Sequence, residues 1–124
     1  MCDTLWADPA ESFLPQDGEF FGYNSGRNCS FTFTYYAVCD FLERNKLLTV
    51  VRAHQTLEEG FKMYDPKEST GFPSLISIFS APNYLDRFGN RGAILHYDKS
   101  ELNIRQFTES SHPYWLPKFA DAFT

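Results

Sequence analysis

Ser74-Leu75-Ile76-Ser77-Ile78-Phe79, followed at once by Ser80-Ala81-Pro82-Asn83-Tyr84, is the segment from which the architecture is most readily read. Leu75, Ile76, Ile78 and Phe79 form a strong strand pattern, and Ser80 to Tyr84 reads as a loop leaving the strand's end. Pro82 stiffens that loop, and Asn83 can tie it down through backbone hydrogen bonds. A second unit of the same kind lies upstream. Leu47 to Arg52 reads as a buried strand, and His54 follows directly on the loop where it ends.

Between the two units, Gln55 to Gly60 is expected to form a helical turn, Phe61 to Tyr64 a short strand and Pro66 to Pro73 a turn-rich connector. Before them, Ala37, Val38, Phe41 and Leu42 recur at one-face spacing with Asp40, Glu43 and Arg44 opposite. That spacing predicts a helix over Tyr36 to Asn45 lying on a core. Gly92 to Tyr97 and Leu102 to Phe107, separated by Asp98-Lys99-Ser100, read as a hairpin. Cys29 to Tyr35 alternates Ser and Thr with Phe and reads as a short extended segment. The residues before Arg27, broken by Asp8-Pro9, Pro15 and Asp17-Gly18, read as an ordered loop. Strands mixed with a helix place the chain in the α/β (α+β) class, with residues 1–107 as one unit and 108–124 as an aromatic, proline-punctuated tail.

With 124 residues, 43% of them hydrophobic and 18% aromatic, the chain has ample material for one packed core. The 13 Phe, 7 Tyr and 2 Trp exceed what a small core needs, so some are expected to face a ligand, a partner or another part of the protein. A net charge of -5 and scattered basic residues argue against nucleic acid or an anionic membrane as partner. Apolar runs such as Leu75 to Phe79 are far short of the roughly 20 residues of a membrane span. Cys2, Cys29 and Cys39 show no CxxC spacing, which suggests neither a disulfide framework nor a thiolate zinc site and fits a reducing, cytoplasmic or also nuclear setting.

Three residues could carry chemistry. His54, held at a strand end, can offer a neutral imidazole to a metal, although a lone His is more often a surface or satisfied structural residue. Arg27 lies in Ser25-Gly26-Arg27-Asn28, where small neighbours let the backbone approach a ligand. Its guanidinium is a planar fork matching two phosphate oxygens, and the plain alternative is a solvated arginine. The phenol of Tyr84 can donate to a phosphate oxygen or pack on a substrate; alone it would read as a turn tyrosine.

Taken in order, Arg27, then Arg52-Ala53-His54, then Ser80-Ala81-Pro82-Asn83-Tyr84 about thirty residues later resemble the carboxy-terminal motif series of the metal-dependent phosphoprotein phosphatases. Met1-Cys2-Asp3-Thr4-Leu5-Trp6-Ala7-Asp8-Pro9 resembles another block of that family, with Ala7 where serine is more usual. Phe72 to Phe79, Leu85-Asp86, Asn103-Ile104-Arg105-Gln106-Phe107 and His112 to Pro117 resemble the calcineurin catalytic (A) subunit in particular. The resemblance covers essentially the whole chain.

The resemblance implies part of a metallophosphoesterase β-sandwich with flanking helices, in which His54 and Tyr84 sit on loops at one edge of a central sheet. It implies hydrolysis of phosphoserine and phosphothreonine by water activated at a dinuclear centre of Fe3+ with Zn2+ or Mn2+. His54 matches a metal ligand, Arg27 an arginine that holds phosphate oxygens, and Tyr84 a tyrosine beside the phosphate pocket. The family's motifs Gly-Asp-x-His-Gly, Gly-Asp-x-Val-Asp-Arg-Gly, Gly-Asn-His-Glu and a later His-Gly-Gly are absent from this sequence. With one ligand of the set present, the isolated chain is expected to be inactive. Asn103, Ile104 and Arg105, with Phe61 and Met63 beside them, match an edge that accepts Pro-x-Ile-x-Ile-Thr peptides by strand addition. Tyr114, Trp115 and Leu116 match part of a second docking groove. Expected partners are phosphoprotein substrates with short docking motifs, plus a calcineurin B-type regulatory subunit and calmodulin through regions outside this chain. The rival expectation is a noncatalytic interaction module that keeps the docking strand.

Overall fold

The computed structural model describes residues 1–15 and 17–111. In chain order the elements are helix α1 (Cys2–Trp6), strands β1 (Asp8–Pro9), β2 (Phe21–Tyr23) and β3 (Phe31–Phe33), helix α2 (Tyr35–Asn45), and strands β4 (Val50–Arg52), β5 (Phe61–Met63), β6 (Leu75–Ile78), β7 (Gly92–Asp98) and β8 (Glu101–Phe107). A single 3-10 turn spans Tyr84–Asp86. The described residues form three small sheets, ordered β1-β3-β2, β4-β6-β5 and β7-β8. The mixed α/β class is as expected.

The strand β6 is central in its sheet, and all four of its residues are buried. That burial on both faces explains why its apolar run is nearly continuous instead of alternating. Its partner β4 runs parallel, with Val50 opposite Leu75 and Arg52 opposite Ser77. Parallel neighbours end on the same side of a sheet, so the loops carrying His54 and Tyr84 leave from one edge. Phe13, Val38, Leu42 and Leu75 form the buried cluster, with Phe33, Tyr35, Val50 and Tyr64 packed around it. The Phe13 and Tyr64 rings meet at 4.7 Å.

Helix α2 follows its apolar stripe. Ala37, Val38 and Leu42 are buried, and Arg44 pairs with Asp40 one turn back on the outer face. Lys46 ends it in the left-handed conformation, φ 54°.

Four local expectations are corrected. Phe41 is 46% exposed, since the buried cluster does not extend to its side of the helix. Leu47 and Leu48, expected inside a buried strand, precede β4 and are about half exposed. Among the described residues β4 is an edge strand, which is why only part of that apolar run is covered. Gln55 to Gly60 makes a turn closed by Gly60 N–H to the Leu57 carbonyl, not a helical turn. Gly60 has φ 76°, and a Cβ there would lie 2.6 Å from the Gly92 carbonyl carbon, so glycine is required both for the turn and for the close approach. The stretch read as an irregular loop before Arg27 holds α1, β1 and β2, elements of two to five residues that are too short for a periodic pattern to register.

Candidate active site

Asp8 is the charge around which the site is arranged. It lies on β1, which pairs in parallel with β3, and it is 6% exposed. Its Oδ2 accepts Arg27 Nε at 2.9 Å and Asn24 Nδ2 at 2.9 Å, while Oδ1 accepts Arg52 Nη2 at 2.9 Å and Arg27 Nη2 at 3.4 Å. Asn24, itself buried, also accepts the Arg27 backbone N–H at 3.1 Å and donates to the Trp6 carbonyl at 3.2 Å. One carboxylate thereby ties together the ends of α1 and β4 and the loop between β2 and β3.

Burial by itself raises the Asp8 pKa, but hydrogen bonds from Arg27 and Asn24 and the charges of Arg27 and Arg52 outweigh it and hold the carboxyl below its ordinary range. The hydrogen bond to Asp8 correspondingly raises Arg27. The network has a geometric consequence for Arg27. A guanidinium has five N–H donors. Its Nε–H and one Nη2–H face Asp8, and Nη2 also donates to the His54 carbonyl at 2.6 Å. None of the hydrogen bonds that Arg27 makes with the described residues uses Nη1.

His54 has φ 77°, a conformation that costs on the order of 1–3 kcal/mol for a non-glycine residue and persists only where its surroundings impose it. Here the carbonyl accepts from Arg27, the ring Nδ1 lies 2.7 Å from the Leu5 carbonyl, and the Trp6 ring packs 4.8 Å from the imidazole. Because a carbonyl only accepts, Nδ1 carries the proton in this arrangement, which in the neutral imidazole leaves the lone pair on Nε2. The Arg27 guanidinium also lies over the Trp6 ring at 5.4 Å.

Arg27, His54 and Tyr84 line one cleft of about 340 Å³ together with Gln55, Thr56 and Phe79. Tyr84 is 40% exposed, its ring edge-on to Phe79 at 5.3 Å. An adjoining cavity of about 400 Å³ shares Arg27 and Gln55 and is lined by Asp8, Asn24 and Thr32 among others. Gln55 is held by Arg52 Nη1. The three residues expected to carry chemistry are thus brought together from three separate parts of the chain.

Other expected site residues lie elsewhere. Asn103, Ile104 and Arg105 are on β8, which pairs with β7, and Phe61 and Met63 are on β5 at the edge of a different sheet. Tyr114, Trp115 and Leu116 fall outside the described residues. The metal fit is poor: among the described residues no three His, Cys, Asp or Glu side chains come together. Asp8 is committed to two arginines, leaving His54 as the cleft's single donor of that kind. The donors present do not hold a dinuclear centre.

Sequence reasoning missed Asp8, Asn24 and Arg52 as site residues. The available signal was an acidic side chain with two arginines in flanking segments; Asp8-Pro9 reads locally as a chain break, and Arg52 as a strand terminus.

Asp8→Asn is expected to destabilise the chain by about 3 kcal/mol, since it strips the shared partner from two half-buried guanidinium groups. A carboxyl with a lowered pKa contributes stability that is present above its ordinary value of 3.8 and is lost as pH falls through the lowered folded value. Urea denaturation should therefore show a stability gap between wild type and Asp8→Asn that is constant above about pH 5 and narrows below 3.8. A gap independent of pH would contradict the network.

No family model matches the chain. Its sequence is 51% identical over the whole chain to the serine/threonine-protein phosphatase 2B catalytic subunit A1 of Saccharomyces cerevisiae, and 44% identical to subunit A2 of the same yeast. Those alignments span 24% and 25% of the two relatives, so the chain covers about a quarter of their length. Among solved structures it is similar to a yeast protein serine/threonine phosphatase described as resembling human phosphatase PP5. That match has a TM-score of 0.66 and 30% identity, and covers 87% of this chain and 33% of the other. Arg27, His54 and Tyr84 thus share one cleft in a chain whose fold is similar to that of a protein serine/threonine phosphatase and whose sequence homologues are the calcineurin-type catalytic subunits of yeast.

Proposed function

We propose that this chain supplies the arginine, histidine and tyrosine side of a calcineurin-type protein serine/threonine phosphatase active site. The observation that carries the reading is the cleft that collects Arg27, His54 and Tyr84. In it, the two N–H groups on Arg27 Nη1 and the Tyr84 hydroxyl donate to phosphoryl oxygens, so that charge developing on the phosphoryl group meets a fixed cation. Asp8 keeps that cation from turning away. His54 would be one ligand toward a metal centre, an iron with a zinc or manganese, whose remaining donors are not found among the described residues. A soluble cytoplasmic setting agrees with its three unpaired cysteines and with the lack, among the described residues, of a helix long and apolar enough to cross a membrane.

A chimera in which this chain replaces the matching quarter of the yeast 2B catalytic subunit A1 tests the proposal. It should release phosphate from a phosphopeptide, and Arg27→Ala in it should lower kcat by about 10²–10³-fold. The chain alone, with Mn2+ added, should release none. A folded chimera without activity, or an active isolated chain, would refute the assignment.

The same proposal extends to substrate docking. Among the described strands β8 pairs with β7 alone, so its other edge is open to strand addition, with Asn103 and Arg105 exposed and Ile104 half-buried. Phe61 and Met63 complete that site in the proposal, Tyr114-Trp115-Leu116 belongs to a second groove, and the regulatory B subunit and calmodulin engage regions outside the chain. Replacing Asn103, Ile104 and Arg105 together with alanine should abolish binding of a labelled Pro-x-Ile-x-Ile-Thr peptide in fluorescence anisotropy, and unchanged binding would remove β8 from the site.

A further inference from the structure

We infer that Asn90 is the positioning residue for Tyr84, the side chain that sets where its phenol stands in the cleft; this rests on the reading of Tyr84 as a phosphate-contacting group. Asn90 is 3% exposed and uses both ends of its amide. Its Nδ2 donates to the Ala81 carbonyl at 2.8 Å and to the Arg91 carbonyl at 2.9 Å, while Oδ1 accepts the Tyr84 backbone N–H at 2.9 Å. Its own carbonyl accepts the Asn83 N–H at 2.7 Å. One residue thus grips the loop before the tyrosine and at the tyrosine itself.

The loop needs that grip. Asn83, Leu85 and Asp86 have φ of 45°, 57° and 52°, and each left-handed residue costs roughly 1–2 kcal/mol when it is not glycine. Bonds inside the loop, such as Gly89 N–H to Asn83 Oδ1 at 3.0 Å, close it on itself but do not orient it against the cleft. Orientation comes from β7, whose Ala93 receives Ser80 Oγ at 2.7 Å and donates to Phe79 at 2.9 Å. Gly92 lets Pro82 approach so closely that a Cβ would lie 3.0 Å from its Cδ. Asn90 transmits the position of this rigid strand to the Tyr84 backbone. The task requires an acceptor and a donor on one short side chain. An aspartate would keep the Tyr84 bond but turn an anionic oxygen toward the Ala81 and Arg91 carbonyls.

Nuclear magnetic resonance on the 124-residue chain tests this with Asn90→Asp and Asn90→Ala, each titrated with inorganic phosphate. Both variants should keep wild-type amide signals at the core residues Leu42 and Leu75 yet lose the contacts between the Tyr84 and Phe79 rings. Phosphate should move Arg27 and His54 signals in all three proteins and Tyr84 signals in wild type only, with affinity about tenfold weaker in the variants, the equivalent of one lost hydrogen bond. Retained ring contacts and a retained Tyr84 response would overturn the inference, as would loss of the whole fold in the isosteric Asn90→Asp, since a positioning residue leaves the core standing. A wild-type response at Arg27 and His54 without one at Tyr84 would defeat the role assigned to the tyrosine, and the inference with it. No response at any of the three would count against the proposed function, while the ring contacts would still decide whether Asn90 places Tyr84.

Discussion

The ion pair network on Asp8 is the constraint from which the site follows. A carboxylate this buried is costly unless compensated, and here two guanidinium groups and an amide provide the compensation. The groups that compensate it come from the loop before β3 and from the end of β4, so satisfying Asp8 requires those segments to be in place. Arg27 then has one geometry available, and that geometry binds the carbonyl of His54. The strained backbone of His54 is a cost borne by the same arrangement, offset by the contacts from Arg27, Leu5 and Trp6.

What the arrangement implies for chemistry is narrower than a fork of five donors. Nε and Nη2 are turned toward Asp8 and His54, so in the proposed reading it is Nη1 of Arg27 that meets a ligand in the cleft. A preorganised cation of this kind does not have to reorient when charge develops on a bound phosphoryl group. In the same cleft, Tyr84 is placed by its own brace through Asn90. Two separate hydrogen-bond systems therefore position Arg27 and Tyr84 in the cleft they share.

The legible part of the fold was the part built from runs of apolar residues. Strand β6, the strand before His54, the helix α2 and the hairpin β7-β8 are all marked by composition and period, and the parallel pairing of β4 with β6 places two motif loops at one edge. The ordered motifs identified the cleft residues before their proximity was known. Asp8 escaped notice because its strand is two residues long and its partners lie 19 and 44 positions away. Asn90 escaped because a glycine-asparagine pair reads as a generic turn, and only the three-dimensional path of the loop shows what the amide holds. Exposure was the other failure. Phe41, Leu47 and Leu48 look like core residues by type, but which apolar side chains are covered depends on neighbours that local pattern does not reveal.

A crystal structure of the chain grown in phosphate tests the central claim most directly, because it shows what Asp8 leaves Arg27 free to do. The account predicts an anion in the cleft bound by Arg27 through Nη1, with Nε and Nη2 still on Asp8 and Tyr84 within hydrogen-bond reach of the anion. An Arg27 swung off Asp8 to clasp the anion with its Nε and Nη2 edge, or an anion bound away from Arg27, would contradict it.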